Sequence, residues 1–157
     1  MKMKPVLKTM FAPLQRGVTL IELMIVVAVI AIIAAVGYPS YLDSVRNSKR
    51  ADCSGGLVSL ANSMERHYSV NGSYLGAAAG GANTGAPAIF AAACPIDGGD
   101  ATYNLTIQAA TASTYTLQAV PVGDQANDKC GTLTITNTGA KNVAGATAGT
   151  TWQDCWR

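Results

Sequence analysis

The sequence predicts an α+β fold, a long N-terminal helix whose second half covers a small antiparallel sheet of three to four strands. Three observations carry this. Apolar residues run without a break from 23 to 36, apolar positions then recur every three or four residues as far as Tyr68, and beyond residue 102 the period changes to two.

The first of these segments is built to leave water. Residues 18–38 hold one charge, Glu22. At ~1.5 Å per residue the segment spans roughly 30 Å, the thickness of a bilayer core. Lys2, Lys4, Lys8 and Arg16 precede it, and no acid comes before Glu22. The positive-inside rule then leaves residues 1–17 in the cytoplasm and the C-terminal bulk outside. An ordinary cleaved signal peptide has neither so long a flank nor so long a span. A plain anchor or a buried core helix leaves Glu22 unexplained, because a carboxylate there costs about 2.5–3.5 kcal/mol. No cation lies among its apolar neighbours. Cutting after Gly17 creates one, an α-amine on Val18 four residues before Glu22, in reach along a helix or between neighbouring chains.

The helical pattern continues past Pro39. Leu42, Val45, Leu57, Leu60, Ala61, Met64 and Tyr68 define one apolar face, with Arg46, Lys49, Arg50, Asp52, Glu65 and Arg66 largely off it. Gly55-Gly56 interrupts the helix and reads as a local packing need. Asn71-Gly72 is an apt stop, and His67 in the last turn complements the helix dipole. A helix from 18 to about 70 is about 80 Å long.

Residues 71–101 are rich in Gly, Ala, Asn and Pro and read as a connecting loop. Residues 103–107, 115–120 and 133–136 alternate as half-buried strands, with a hairpin turn at 109–114 and a candidate fourth strand from Lys141.

Composition narrows the function. At 157 residues there is room for one domain, and the 49% apolar content is concentrated near the start. Four of the eleven basic residues and none of the nine acids lie in 1–17, so the charge of +2 becomes −2 without that segment. DNA is therefore a partner that the charge does not support. The aromatic residues do not interleave with a basic patch. The four cysteines form no CxxC pair, so a metal site is not expected, and their even number in an exported chain reads as two disulfides with three open pairings. No cofactor is implied. There is no nucleophile elbow, phosphate loop or metalloprotease motif, so the chain is not read as an enzyme. Asp97-Gly98-Gly99-Asp100 reads as a turn, and Asp124 and Asp128 as loop residues.

Arg16-Gly17 followed by Val18-Thr19-Leu20-Ile21-Glu22-Leu23-Met24-Ile25-Val26-Val27 closely resembles the type IV prepilin signature. The resemblance covers residues 16–41. It implies cleavage after Gly17 by a membrane-embedded prepilin peptidase and methylation of the new amine on Val18. It implies that Glu22 pairs with a neighbouring subunit's N-terminus during assembly, and that Pro39 is a helix-kinking proline. The sequence departs from the pattern at Val18, where phenylalanine is usual, and at Ala31, where many members have a glycine that loosens the helix. The fold implied is the pilin fold. The resemblance also implies a Cys130–Cys155 bridge stapling the C-terminal segment to the sheet, with Cys53–Cys94 tying the connecting loop to the helix. Arg50-Ala51-Asp52, Met64-Glu65-Arg66-His67-Tyr68, Asn71-Gly72-Ser73-Tyr74 and Asp154-Cys155-Trp156 look like PilE-type minor pilins.

The expected organisation is a cytoplasmic leader at 1–17, a transmembrane and filament-core helix at 18–38, and an exported head at 39–157. The expected role is structural: a minor pilin that joins or primes a type IV pilus and supports pilus assembly, twitching motility and adhesion. Its partners are other pilin subunits, the prepilin peptidase, the assembly platform in the inner membrane, and membrane lipid before assembly. Its location is the inner membrane, then an extracellular pilus of a Gram-negative-type bacterium. A competence pilin that binds DNA and a type II secretion pseudopilin are the alternatives.

Overall fold

The computed structural model describes residues 17–156. Lys2, Lys4, Lys8 and Arg16 lie outside the described residues. After Pro39 the chain divides into two compact units, and helix α1 (Leu20–Asn71) contributes to both.

In the first unit every described residue is exposed. The most apolar window of α1 reaches a mean hydropathy of 2.9 with none of it buried. By length and composition this helix is able to cross a membrane. Its start is set by Thr19, whose Oγ1 accepts the Glu22 N–H at 3.2 Å while its carbonyl accepts the Leu23 N–H at 3.2 Å. This is an N-cap, and it places Glu22 at the third helical position, where a carboxylate complements the helix dipole. Pro39 lies inside the helix and withholds one backbone donor.

In the second unit α1 buries Arg50, Cys53, Ser54, Gly56, Leu57, Leu60, Ala61, Ser63 and Met64. Their spacing of one turn keeps them on one stripe. The stripe packs on a five-stranded antiparallel sheet whose strands lie side by side in chain order. The strands are β1 (Ala93–Cys94), β2 (Tyr103–Ala110), β3 (Tyr115–Pro121), β4 (Thr132–Thr136) and β5 (Lys141–Ala144). Odd-numbered side chains of β2, β3 and β4 enter the core, from Tyr103, Leu105 and Ile107 through Tyr115, Leu117 and Ala119 to Leu133 and Ile135. Each fully buried aliphatic residue here, such as Leu57, Leu60, Leu105 and Leu117, contributes about 2 kcal/mol.

Five strands replace the three to four expected. β1 is two residues long and pairs Ala93 with Asn104 and Cys94 with Tyr103 inside the segment read as a loop, too short for any periodicity to register. β2 runs on to Ala110 because an irregularity between Ile107 and Ala109 breaks the alternation without breaking the pairing. The four-residue helix α2 (Trp152–Cys155) was also not expected. A capping box between Thr151 and Asp154 starts it.

The cysteines pair as Cys53–Cys94, with Cα atoms 5.5 Å apart, and Cys130–Cys155, at 5.8 Å. They close loops of 41 and 25 residues. In the chain-entropy model each contributes about 3.5–4 kcal/mol. Two glycines make the close approaches around them. A Cβ on Gly56 would stand 3.1 Å from both Cys94 Sγ and Ile96 Cδ1, whereas one on Gly55 meets nothing. The packing need in the glycine pair is therefore Gly56's alone. Gly131, beside Cys130, has φ +59°, and a Cβ there would collide with Ala144 O.

Candidate assembly site

Three features of the molecule have geometry that goes beyond ordinary packing: the exposed start of α1, a buried ion pair under the C-terminal region, and a carboxylate held by tyrosines.

At the start of α1, Val18 is 69% exposed and the side chains of the helix that follows are uncovered. Gly17 shows no conformational reason for being glycine. Its φ lies outside the left-handed region and a Cβ there meets nothing within 4 Å.

The ion pair departs from the sequence reading, which placed Arg50 largely off the buried face; Asp128 lies in a loop as read, but its burial was not expected. Both are buried, and Arg50 Nη1 donates to Asp128 Oδ1 at 2.6 Å and to Oδ2 at 2.7 Å. Arg50 Nη2 donates to Asn47 Oδ1 at 2.7 Å. Tyr103 OH donates to Asp128 Oδ2 at 3.3 Å and accepts from Gln125 Nε2 at 3.0 Å. The same Gln125 nitrogen reaches the carbonyl of Arg46 at 3.1 Å. The network ties α1 to the 3-10 turn Gly123–Asn127, just ahead of Cys130. A pair separated by 78 positions carries no sequence signal. Burial, followed by the charge of Asp128, pushes the Tyr103 phenol up to about 12, although the hydrogen bond from Gln125 works the other way.

Glu65 is the second surprise. Tyr74 OH donates to its two oxygens at 2.9 and 3.1 Å, and Tyr115 OH donates to Oε1 at 3.0 Å. Tyr74 also packs against Tyr68 at 4.6 Å and edge-on against Tyr115 at 4.8 Å between ring centroids. The cluster joins the end of α1 to the connecting loop and to β3. Burial, then the hydrogen bond and charge of Glu65, raise the Tyr74 and Tyr115 phenols above their ordinary value.

The remaining residues singled out by sequence fall elsewhere. His67 Nε2 lies 2.9 Å from the carbonyl of Leu75 and its Nδ1 lies 3.2 Å from Asn71 Nδ2, so it fastens the connecting loop to the end of α1. Asp124 sits in the 3-10 turn and Asp97 to Asp100 in an exposed turn. No group of three metal-ligating side chains forms among the described residues.

The family model described as "Type IV minor pilin ComP, DNA uptake sequence receptor" matches residues 39–134, more than half of the chain. The chain belongs to this family of type IV pilins. A second model, the prokaryotic N-terminal methylation motif, matches residues 13–38. The pilin is 39% identical over 64 residues to the type IV major pilin protein PilA of Myxococcus xanthus, covering 41% of this chain and 29% of that one. It is 39% identical over 63 residues to the fimbrial protein EcpC of Eikenella corrodens, covering 40% and 41%. The pilin thus spans less than half the length of these curated relatives. Among solved structures it is similar to a type IV pilin from Shewanella oneidensis, with 25% identity, 71% and 98% coverage and a TM-score of 0.44. It is also similar to the non-core minor pilin PilV of Neisseria meningitidis, with 17% identity, 73% and 96% coverage and a TM-score of 0.49.

Two predictions follow from the polar clusters. Asp128→Ala leaves Arg50 buried without a counter-charge, and its expected cost is about 3–5 kcal/mol. The double variant Arg50→Met with Asp128→Leu recovers most of that loss; both are read by urea unfolding of the oxidised pilin. The tyrosines give a pH dependence. Their phenols ionise near 10 in the unfolded chain and higher in the folded one. The folded state therefore holds its protons longer, so the stability they contribute is complete below pH 10 and is lost as pH climbs towards about 12, where Tyr103 titrates. Phenolate absorbance during alkaline titration should show late ionisation of the buried phenols, coincident with loss of structure.

Proposed function

We propose that this pilin is a minor structural subunit of a type IV pilus, clipped after Gly17, methylated on Val18 and held in register by Glu22. The observation that carries the reading is the exposed apolar first half of α1, with a carboxylate at its third position and neither buried by any of the described residues. Exposed apolar surface on this scale needs lipid or the equivalent helices of other subunits. The inner membrane supplies the first, and the pilus core supplies the second. The vacant space around Gly17 supports recognition from outside, because the fold itself does not require a glycine there. Prepilin peptidase and the assembly platform are the partners this implies.

The matching family's description supports a second reading, capture of DNA at the filament surface. Charge limits how it would work. With residues 1–17 removed the chain carries −2. Arg50 is spent on Asp128 and Arg46 pairs with Asp43, leaving Lys49, Arg66, Lys129 and Lys141 as the exposed basic side chains among the described residues.

Two measurements test these readings. Intact mass of the filament form should give a chain that begins at Val18 and carries one methyl group, and Glu22→Ala and Glu22→Gln should be processed and inserted yet nearly absent from sheared filaments. Normal incorporation of both variants would show that the charge takes no part in assembly. For duplex binding by the chain that begins at Val18, phosphate contacts from those four basic side chains correspond to a salt slope of about −3.6. Absence of binding at low salt would sink the second reading.

A further inference from the structure

We propose that Thr19 is a positioning residue for the processing step, because its cap on α1 keeps the Gly17–Val18 peptide bond out of the helix and in a form a peptidase can take. The inference rests on the reading that cleavage falls after Gly17.

α1 begins at Leu20, and residues 17–19 are non-helical. The side chain that sets this start is Thr19, through the 3.2 Å bond from Glu22 N–H to its Oγ1. An N-cap residue leaves the helix by its own backbone geometry, so the two residues before it cannot join this helix while the cap holds. The bond to be cut is therefore one residue outside the cap. Hydrolysis adds water across it, leaving a carboxylate on Gly17 and an amine on Val18. That requires a carbonyl free of helical hydrogen bonding and open to attack.

Among the described residues no other side chain caps this end of α1. Val18 has no acceptor in its side chain. Gly17 is the next residue of good capping type, about as good as threonine in general. Removing the Thr19 acceptor therefore shifts the favoured helix start back to Gly17 and draws Val18 into the first turn, with the Gly17 carbonyl then accepting an intrahelical bond. The apolar run that follows does not oppose the shift, since one more apolar residue joins an already apolar helix. Glu22 would then move from the third helical position to the fifth, where its interaction with the helix terminus fades.

The test is cleavage of full-length precursor in detergent by purified prepilin peptidase, with product identity from intact mass. Thr19→Val keeps the shape and removes the acceptor, and its kcat/KM should fall about fivefold, the shift expected for loss of one cap. Thr19→Ser and Thr19→Asn keep an acceptor in different frames and should be cut at close to the wild-type rate. Cleavage of Thr19→Val at the wild-type rate overturns the proposal. So does slow cleavage of Thr19→Asn beside fast Thr19→Ser, which would mean that the peptidase reads the hydroxyl directly. Formation of both disulfides in every variant shows that the head is intact. A wild-type product that does not begin at Val18 would instead refute the processing reading itself, whatever the variants do.

Discussion

The constraint on which the molecule depends is that one helix must satisfy two solvents. From Leu20 to Pro39 the helix is apolar apart from Glu22, and it is exposed among the described residues. From Ser40 onward it is amphipathic, and its stripe from Arg50 to Met64 is the largest single contribution to the core of the second unit. An all-round apolar helix belongs among lipid tails or other helices of its kind, and an amphipathic one belongs on a sheet. The rest of the chain is arranged around that change.

The second unit is small, glycine-rich and sparing in charge, so a core of this size has little margin. Cross-links at both flanks compensate. Cys53–Cys94 fastens the connecting loop to α1, and Cys130–Cys155 fastens α2 to the segment that leads into β4. Polar clusters add further ties. The Arg50–Asp128–Tyr103–Gln125 network lies beneath the turn before Cys130, and Glu65 gathers Tyr74 and Tyr115 at the far end of α1. A buried ion pair of this kind adds little net stability over an apolar substitute, but it tolerates only one arrangement of its partners. Its contribution is to fix how the C-terminal region seats against the helix.

Legibility in the sequence followed the range of the interaction. The sequence reading began α1 at 18, two residues before its start at Leu20, although Thr19-Leu20-Ile21-Glu22 has the spacing of a capping box and the acceptor lies three residues from its donor. The strands with an alternating pattern, β3 and β4, were legible within a residue of their ends, whereas β1 had no pattern to offer. Arg50 looked like a solvent-facing charge because a helical wheel knows only neighbours on the same helix, and its partner comes from 78 residues away.

What the sequence by itself determined is the division of labour: an apolar helix with one acid near its start, a candidate cut before it, an amphipathic continuation and a small disulfide-linked antiparallel sheet. Those properties are periodic or local, so composition and spacing record them. What only the tertiary structure decided is which polar groups are buried and whom they meet. Asp128 is a loop residue by sequence and a buried one by position, and Glu65, exposed as its sequence position suggests, is the common acceptor of two phenols. Desolvation makes an unmet charge costly, so these partners are set by the packing of distant segments against one another, and that packing has no counterpart in any short stretch of the chain.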